Sequence, residues 1–198
     1  MAAICVFCAS SEDIDVRYLE LARAVGTEVA RRGHQLVSGG GSVSCMGAVA
    51  RAARAGGART VGVIPRALAA LEVADTDADE LVVTADMRDR KREMEQRSDG
   101  FLVLPGGIGT LEEMLEIWVA RSLGMLAKPL VVCDPFGHFG DLRKQVAAMV
   151  AGGFVRPAVV DAVQWTDDVA TAFDLLEAGM RAGAALHPTA GEMLEAEP

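Results

Sequence analysis

Short apolar runs alternate with longer stretches of helical periodicity along most of this chain of 198 residues. The apolar runs predict strands at residues 3–8, 35–38, 60–64, 81–84, 101–104, 130–133 and 163–165. Helical spacing predicts helices at residues 16–32, 87–97, 142–151 and 167–181, and two more that follow glycine-rich loops and end at residues 54 and 123. This alternation is typical of an α/β fold with a single parallel, doubly wound, Rossmann-like sheet flanked by helices.

The same pattern indicates the domain limits. We expect one domain over residues 1–182, because no linker divides it and the 51% hydrophobic content is sufficient for one core. From residue 183 to residue 198 the periodicity is lost, and the residues are small, acidic or proline. This composition predicts a disordered C-terminal tail.

A glycine-rich loop separates the predicted strand 101–104 from the helix that follows it. Residues 105–113 read Pro-Gly-Gly-Ile-Gly-Thr-Leu-Glu-Glu. Gly106, Gly107 and Gly109 let backbone N–H groups converge, and the helix N-terminus beyond them offers unpaired donors that suit a phosphate. The alternative is a tight turn closed by a capping box between Thr110 and Glu113. Residue types alone leave both interpretations open.

Charged neighbours favour the interpretation of this loop as a ligand site. Glu112, Glu113 and Glu116 place three carboxylates at the start of the helix, where one is enough to cap it. Upstream, four cations occupy residues 88–92 of a chain whose formal net charge is −9. They lie on a helix that Asp86 is expected to cap. A local basic cluster in an acidic chain indicates a small anionic ligand.

A second glycine-rich loop follows the strand 35–38, and residues 39–47 read Gly-Gly-Gly-Ser-Val-Ser-Cys-Met-Gly. It departs from the dinucleotide-binding fingerprint, because Ser44 occupies the sixth position and no acidic residue follows at the expected distance. It also lacks the Gly-Lys-Ser/Thr of a P-loop. Ordinary NAD and NTP binding are therefore disfavoured. Ser10 and Ser11, which end the first strand, are placed either to hydrogen-bond a ligand or to form a loop and cap.

Composition limits the possible partners and compartment. A sequence pI near 4.8 argues against a nucleic-acid polymer as partner. No apolar run reaches about 18 residues, so no membrane span is expected. The first residues lack the features of a signal peptide, which favours the cytoplasm.

Cysteine and histidine residues do not suggest a metal or redox centre. Cys5 and Cys8 fall on opposite faces of the first strand, and the other two cysteines are distant in sequence. We expect all four to be buried, reduced, structural thiols. The three histidines have no ligand spacing, and each is expected on the surface or in a loop. Neither a metal nor another cofactor is predicted.

Together these residues resemble the LONELY GUY (LOG) family of cytokinin-activating phosphoribohydrolases, whose members are often mislabelled as lysine decarboxylases. The family signature Pro-Gly-Gly-x-Gly-Thr-x-x-Glu is complete at residues 105–113, and its Met-x-x-Arg-Lys element is met by Met87, Arg90 and Lys91. The resemblance covers roughly residues 3–182. The chain departs from the common pattern at Ser44-Cys45, where Gly-Leu is usual, at Ile108, where an aromatic is frequent, and at Arg88, where His is frequent.

The resemblance implies hydrolysis of a cytokinin riboside 5′-monophosphate, or of AMP, to the free base and ribose 5-phosphate. It assigns Glu113 as the main catalytic carboxylate with Glu116 as an assistant, Arg90 to the nucleotide and to catalysis, Lys91 to binding, and Glu72 to a substrate contact. It implies a homodimer. The further binding residues that it implies are Ser10, Gly39, Gly40, Gly41, Met46, Gly47, Gly106, Gly107, Ile108, Gly109, Thr110, Leu111 and Glu112.

Two rival functions can be weighed on residue types. A decarboxylase would need a desolvated lysine for pyridoxal phosphate, and the chain has only Lys91, Lys128 and Lys144. Lys91 lies in a crowded basic helix and Lys128 precedes a proline, so neither has such a setting. A non-catalytic nucleotide-binding or sensing module of the same fold remains the alternative, although mere binding would not require both Glu113 and Arg90. The preferred base is open, since isopentenyladenine, zeatin and adenine differ by an apolar tail.

Overall fold

A computed structural model of the chain describes residues 1–69 and 74–183. Within these ranges the strands are β1 (Ala3–Phe7), β2 (Gln35–Ser38), β3 (Thr60–Pro65), β4 (Glu80–Thr84), β5 (Gly100–Val103), β6 (Leu130–Cys133) and β7 (Gln164–Thr166). The helices are α1 (Val16–Arg31), α2 (Ser44–Ala55), α3 (Arg66–Ala69), α4 (Met87–Gln96), α5 (Ile108–Ser122), α6 (Gly140–Ala151), α7 (Pro157–Val160) and α8 (Val169–Gly183).

The described strands form one parallel sheet in the order β4-β3-β2-β1-β5-β6-β7. The predicted α/β Rossmann-like fold is thus confirmed, and each predicted strand begins and ends within one residue of the observed one. The short helices α3 and α7 were not predicted. The chain runs outward from β1 in both directions, so the loops after β1 and β5 diverge and leave a crevice between them.

Apolar residues on both faces of the sheet explain why helices cover both sides. Ile4 and Val6 of β1 pack into the core beneath α1, α2 and α8. Cys5 and Phe7 point to the opposite core, which α4 and α5 cover. The cysteines are buried and free, as predicted, and Cys5 and Cys8 belong to opposite cores.

One histidine lies in a loop, as expected, and is nevertheless buried. His34 is in the loop between α1 and β2. Its Nδ1 accepts a hydrogen bond from the Ala2 N–H at 3.3 Å, and its Nε2 lies 3.2 Å from the Glu177 carboxylate. The ring also stacks on Phe173 at 6.3 Å. Its burial depends on α8, which is far along the chain and could not be inferred from local sequence.

Three further expectations concern the C-terminal tail, a membrane-spanning helix and the N-cap of α4. Gly183, the first residue of the predicted tail, is the last residue of α8, and residues 184–198 lie outside the described ranges. No helix within residues 1–69 and 74–183 is long and apolar enough to cross a membrane. Asp86 caps α4 as expected, because its Oδ1 accepts from the N–H groups of Arg88 and Asp89 at 2.8 and 2.9 Å.

Candidate functional site

An open cavity of about 410 Å³ lies at the carboxyl ends of β1 and β5, where the sheet order diverges. Ser10 contributes from the loop after β1, and Gly39 from the loop after β2. Arg90 contributes from α4, and the glycine-rich loop after β5 forms another wall. His138 lines the cavity from the loop after β6. Both glycine-rich loops therefore meet at one site, as expected for the carboxyl edge of a parallel sheet.

The loop after β5 opens a helix whose first turn has no side-chain cap. α5 begins at Ile108, and Gly107 is the N-cap residue. The capping box considered from the sequence is therefore wrong, because Thr110 lies inside the first turn. Thr110 is buried and packs against Gly106, where an added Cβ would lie 2.2 Å from the Thr110 Oγ1. The first N–H groups of α5 remain available to an anion.

Gly107 and Gly109 have glycine for a different reason from Gly106. Both line the cavity, and a Cβ added at either position would have no heavy atom within 4 Å. Gly107 also has an ordinary φ of −88°. Neither crowding by the described residues nor backbone strain requires glycine there. Absence of a side chain instead leaves room for a ligand to approach the helix N-terminus.

Glu113 lies at the edge of this cavity, and no side chain of the described residues pairs with it. It is partly buried, and the burial raises the pKa of its carboxyl to about 7, against the opposing charge of Arg90. Its oxygens make no hydrogen bond or ion pair with another side chain of residues 1–69 and 74–183. A raised carboxyl pKa near neutrality is typical of a group that handles protons or developing charge.

The two neighbouring glutamates are placed differently. Glu112 lines the cavity, is about half exposed and forms an ion pair with Lys91. Glu116 is also half exposed and pairs with the same Lys91, and it does not line the cavity. These ion pairs raise the pKa of the Lys91 ammonium, although its partial burial opposes this. Of the three carboxylates at the start of α5, Glu113 is the one left unpaired.

Arg90 is a buried cation held by backbone carbonyls. Its Nε donates to the Val63 carbonyl at 3.1 Å, and its Nη2 donates to the Gly39 carbonyl at 2.9 Å. A Cβ at position 39 would lie 2.0 Å from the same Nη2, so a larger residue there would displace the guanidinium from this position. No carboxylate of the described residues lies within ion-pair distance of Arg90. Its charge is therefore available to the cavity.

The loop after β2 shows why glycine is usual at position 44, where this chain departs from the family pattern. Ser44 has a φ of +51°, a left-handed conformation that side chains other than glycine rarely adopt. Its Oγ donates to the carbonyl of Ser11 and links this loop to the one after β1. The other residue of this loop with a positive φ is a glycine, Gly40, at +75°.

The structure brings many of the predicted site residues together and leaves others outside the cavity. Those that line it are Ser10, Gly39, Met46, Arg90, Gly106, Gly107, Ile108, Gly109, Thr110, Glu112 and Glu113. Those that do not are Gly40, Gly41, Gly47, Lys91, Leu111 and Glu116. Glu72 lies outside the described residues.

Several lining residues were not among the predicted binding residues. Tyr18, Met87, Met94 and His138 all contact the cavity. His138 Nε2 donates to the Gly106 carbonyl at 2.8 Å and so fixes the loop that opens α5. The sequence did offer a signal for His138, because it follows strand β6 at the same sheet edge. Tyr18 lies on α1 and offered none.

The site combines an uncapped helix N-terminus, a buried cation and an unpaired carboxylate. No group of His, Cys, Asp and Glu side chains in the described ranges could hold a metal ion. None of the three lysines lines the cavity: Lys91 pairs with glutamates, Lys128 Nζ donates to the Glu95 carbonyl at 2.6 Å, and Lys144 is exposed beside Asp141. The arrangement suits a phosphorylated ligand and chemistry at a charge-developing carbon.

Comparison with known proteins gives a consistent set of matches. Residues 46–176 match the protein family described as "possible lysine decarboxylase". The cytokinin riboside 5′-monophosphate phosphoribohydrolase of Mycobacterium tuberculosis is 50% identical over 166 residues, which are 84% of this chain and 88% of that protein. An enzyme of the same name from Arabidopsis thaliana is 41% identical over 154 residues, or 78% of this chain and 72% of that protein.

Solved structures show a similar fold at lower identity. The molybdenum cofactor carrier protein of Chlamydomonas reinhardtii superimposes with a TM-score of 0.68 over 91% of this chain and 98% of that chain, at 22% identity. The molybdenum cofactor binding protein of Rippkaea orientalis gives a TM-score of 0.66 at 21% identity, covering 89% of this chain and 96% of that chain. At such identities the likeness concerns the fold alone.

Proposed function

Because the chain belongs to the LONELY GUY family of cytokinin riboside 5′-monophosphate phosphoribohydrolases, we propose that it hydrolyses the N-glycosidic bond of cytokinin riboside 5′-monophosphates and of AMP. The products are the free base and ribose 5-phosphate. The observation that supports this most is the unpaired, partly buried Glu113, which shares a cavity with the buried cation Arg90 and an uncapped helix N-terminus.

The 5′-phosphate binds at the N-terminus of α5. Gly107 and Gly109 leave the space beside its free N–H groups open, and the helix dipole favours a negative charge there. Anchoring the phosphate supplies binding energy remote from the reacting carbon and orients the ribose. Arg90 adds a fixed positive charge that needs no rearrangement, since backbone carbonyls already hold its guanidinium.

Glu113 acts on the ribose. As the glycosidic bond breaks, its electron pair leaves with the base, and C1′ develops positive charge. The Glu113 carboxylate stabilises that charge and activates the water whose hydroxyl joins C1′, while the base takes up a proton. Since its pKa is about 7, the carboxylate form is lost as the pH falls below neutrality. The acid side of the activity profile is therefore expected near pH 7.

The test of this proposal is product analysis with purified protein. AMP and isopentenyladenosine 5′-monophosphate should each give a free base and ribose 5-phosphate in equal amounts, with no loss of rate in EDTA. Adenosine, which lacks the phosphate anchor, should be a far poorer substrate. Equal turnover of adenosine and AMP, or activity that EDTA abolishes, would contradict the proposal.

We also propose that the protein is a homodimer, as the family resemblance implies, and that it acts in the cytoplasm. Support comes from α5, which leaves Ile108, Leu115 and Val119 at 82%, 41% and 54% exposure. Ile108 also lines the cavity, so a second copy on this face would border the site. Light scattering with size exclusion at micromolar concentration tests the assembly, and a monomer would contradict it.

A further inference from the structure

Lys91 follows Arg90 in sequence, but the two side chains border different pockets. Arg90 lines the main cavity, whereas Lys91 does not. Lys91 borders a small pocket on the other side of Glu113, together with Glu95 and Glu116. The ammonium forms ion pairs with Glu112 and Glu116, and its side chain is 19% exposed. Both ion pairs therefore hold the Lys91 ammonium at residues of α5, and Lys91 itself does not line the main cavity.

Its two partners flank the unpaired carboxylate. Glu112 precedes Glu113 in sequence, and Glu116 follows it by three residues, so both lie close to it on α5. Without Lys91, three carboxylates would crowd one helical turn, and like charges at this range disfavour the ionised form of each. The single positive charge of Lys91 on α4 offsets part of the negative charge of Glu112 and Glu116, whereas Glu113 forms no ion pair among the described residues.

Other charged and titratable groups also face Glu113. Arg90 and Lys91 of α4 attract its charge, and Glu112 and Glu116 of α5 repel it. The thiols of Cys5 in β1 and of Cys8, which follows β1, are buried and keep raised pKa values, so they stay neutral. His138 lines the cavity from the loop after β6, and Glu95 of α4 borders the small pocket.

We propose that Lys91 is a positioning residue whose ion pairs offset part of the charge of Glu112 and Glu116, so that Glu113 can ionise in the cavity where it meets the substrate. This inference rests on the proposed function for its consequence in catalysis, and on the ion pairs for its geometry. It differs from the role that the family resemblance implies for Lys91, which is direct binding. The two roles predict different behaviour in the same variants.

The experiment follows the carboxyl carbon of Glu113 by ¹³C NMR titration in the intact protein, which needs no turnover. In Lys91→Met the titration midpoint should rise by about one pH unit, the scale for a nearby uncompensated charge. Combining it with Glu112→Gln and Glu116→Gln should bring the midpoint back down. Arg92→Met is the matched control on the same helix, since Arg92 pairs only with Asp89 among the described residues and is 65% exposed. It should leave the midpoint unchanged.

Kinetics on AMP give the second readout. The acid limb of kcat/KM for Lys91→Met should move upward with the NMR midpoint, KM should change less than about threefold, and Lys91→Arg should restore the profile. An unmoved midpoint with a large rise in KM would overturn the proposal and assign Lys91 to binding.

A further variant covers the case in which Lys91→Met does not fold. Glu112→Gln/Glu116→Gln keeps Lys91 and removes its partners, and the Glu113 midpoint should then fall by about one pH unit. A midpoint that does not fall would overturn the proposal. If the wild-type protein releases no base, the proposed function fails while these titrations still decide the role of Lys91.

Discussion

Replacing Glu113 with glutamine should make the protein more stable at alkaline pH. Burial raises the carboxyl pKa from its ordinary value of 4.5 to about 7, so the native state is penalised when the group ionises. By linkage, this shift corresponds to about 3 kcal/mol above pH 7. A glutamine amide of the same shape carries no charge, although its unpaired donors offset part of the gain by about 1 kcal/mol. We therefore expect a net gain of about 2 kcal/mol at pH 8.

The stability gained by Glu113→Gln depends on pH, because the native and unfolded states release the Glu113 proton at different pH values. Between pH 4.5 and about 7 the native protein holds a proton that the unfolded chain has released, so wild-type stability falls as the pH rises through this range. Below pH 4.5 both states are protonated, so the charge penalty is absent and only the cost of the amide donors, about 1 kcal/mol, distinguishes the variant from the wild type. The gain from Glu113→Gln should thus be absent at pH 4.5 and complete above pH 7.

Thermal and urea unfolding at pH 4.5, 6 and 8 test this expectation. For a chain of this length, 2 kcal/mol corresponds to a rise in Tm of about 4–8 °C. Glu116→Gln is the matched control, because Glu116 is half exposed and paired, and its loss should cost less than about 1 kcal/mol at any of these pH values. If Glu113→Gln lowers Tm equally at pH 4.5 and pH 8, the reasoning from burial is refuted.

Two glycine variants separate the effects on folding from those on ligand binding, and one further variant tests the stability of a buried ion pair. The Cβ added in Gly107→Ala has no heavy atom within 4 Å, so this variant should fold normally while KM for AMP rises at least about tenfold. The Cβ added in Gly106→Ala would lie 2.2 Å from the Thr110 side chain, so this variant should lower Tm as well as activity. Asp75→Ala removes a bidentate ion pair with Arg54, whose N···O distances are 2.7 and 3.0 Å, and leaves the largely buried Arg54 guanidinium unpaired by that carboxylate. The free energy of unfolding should therefore fall by about 3–5 kcal/mol. A decrease of less than about 1 kcal/mol would contradict this prediction.

Much of the fold follows from local sequence because the strands are continuous apolar runs with helices between them. β2 and β6 begin and end at the predicted residues. The capping box failed for a local reason. A Thr-x-x-Glu pattern after glycines fits either a cap or a first turn, and the packing of Thr110 onto Gly106 decides for the turn.

The candidate site was less accessible to sequence reasoning because its electrostatics depend on contacts between helices. The spacing indicated three carboxylates and did not indicate which one is unpaired. Lys91 on α4 makes that choice by pairing with Glu112 and Glu116. Tyr18 reaches the cavity only because α1 packs above β1, and no local pattern marks such a residue.

Nucleotide binding and turnover by Glu113→Gln test the central claim most directly. Calorimetric titration with AMP should give a Kd within a few-fold of the KM of the wild-type protein, because the phosphate cradle and Arg90 are untouched. Base release should fall by at least about 100-fold, the scale for losing a group that acts on the reacting bond. Near-normal release of adenine by this variant would contradict the account and show that Glu113 does not act on the glycosidic bond.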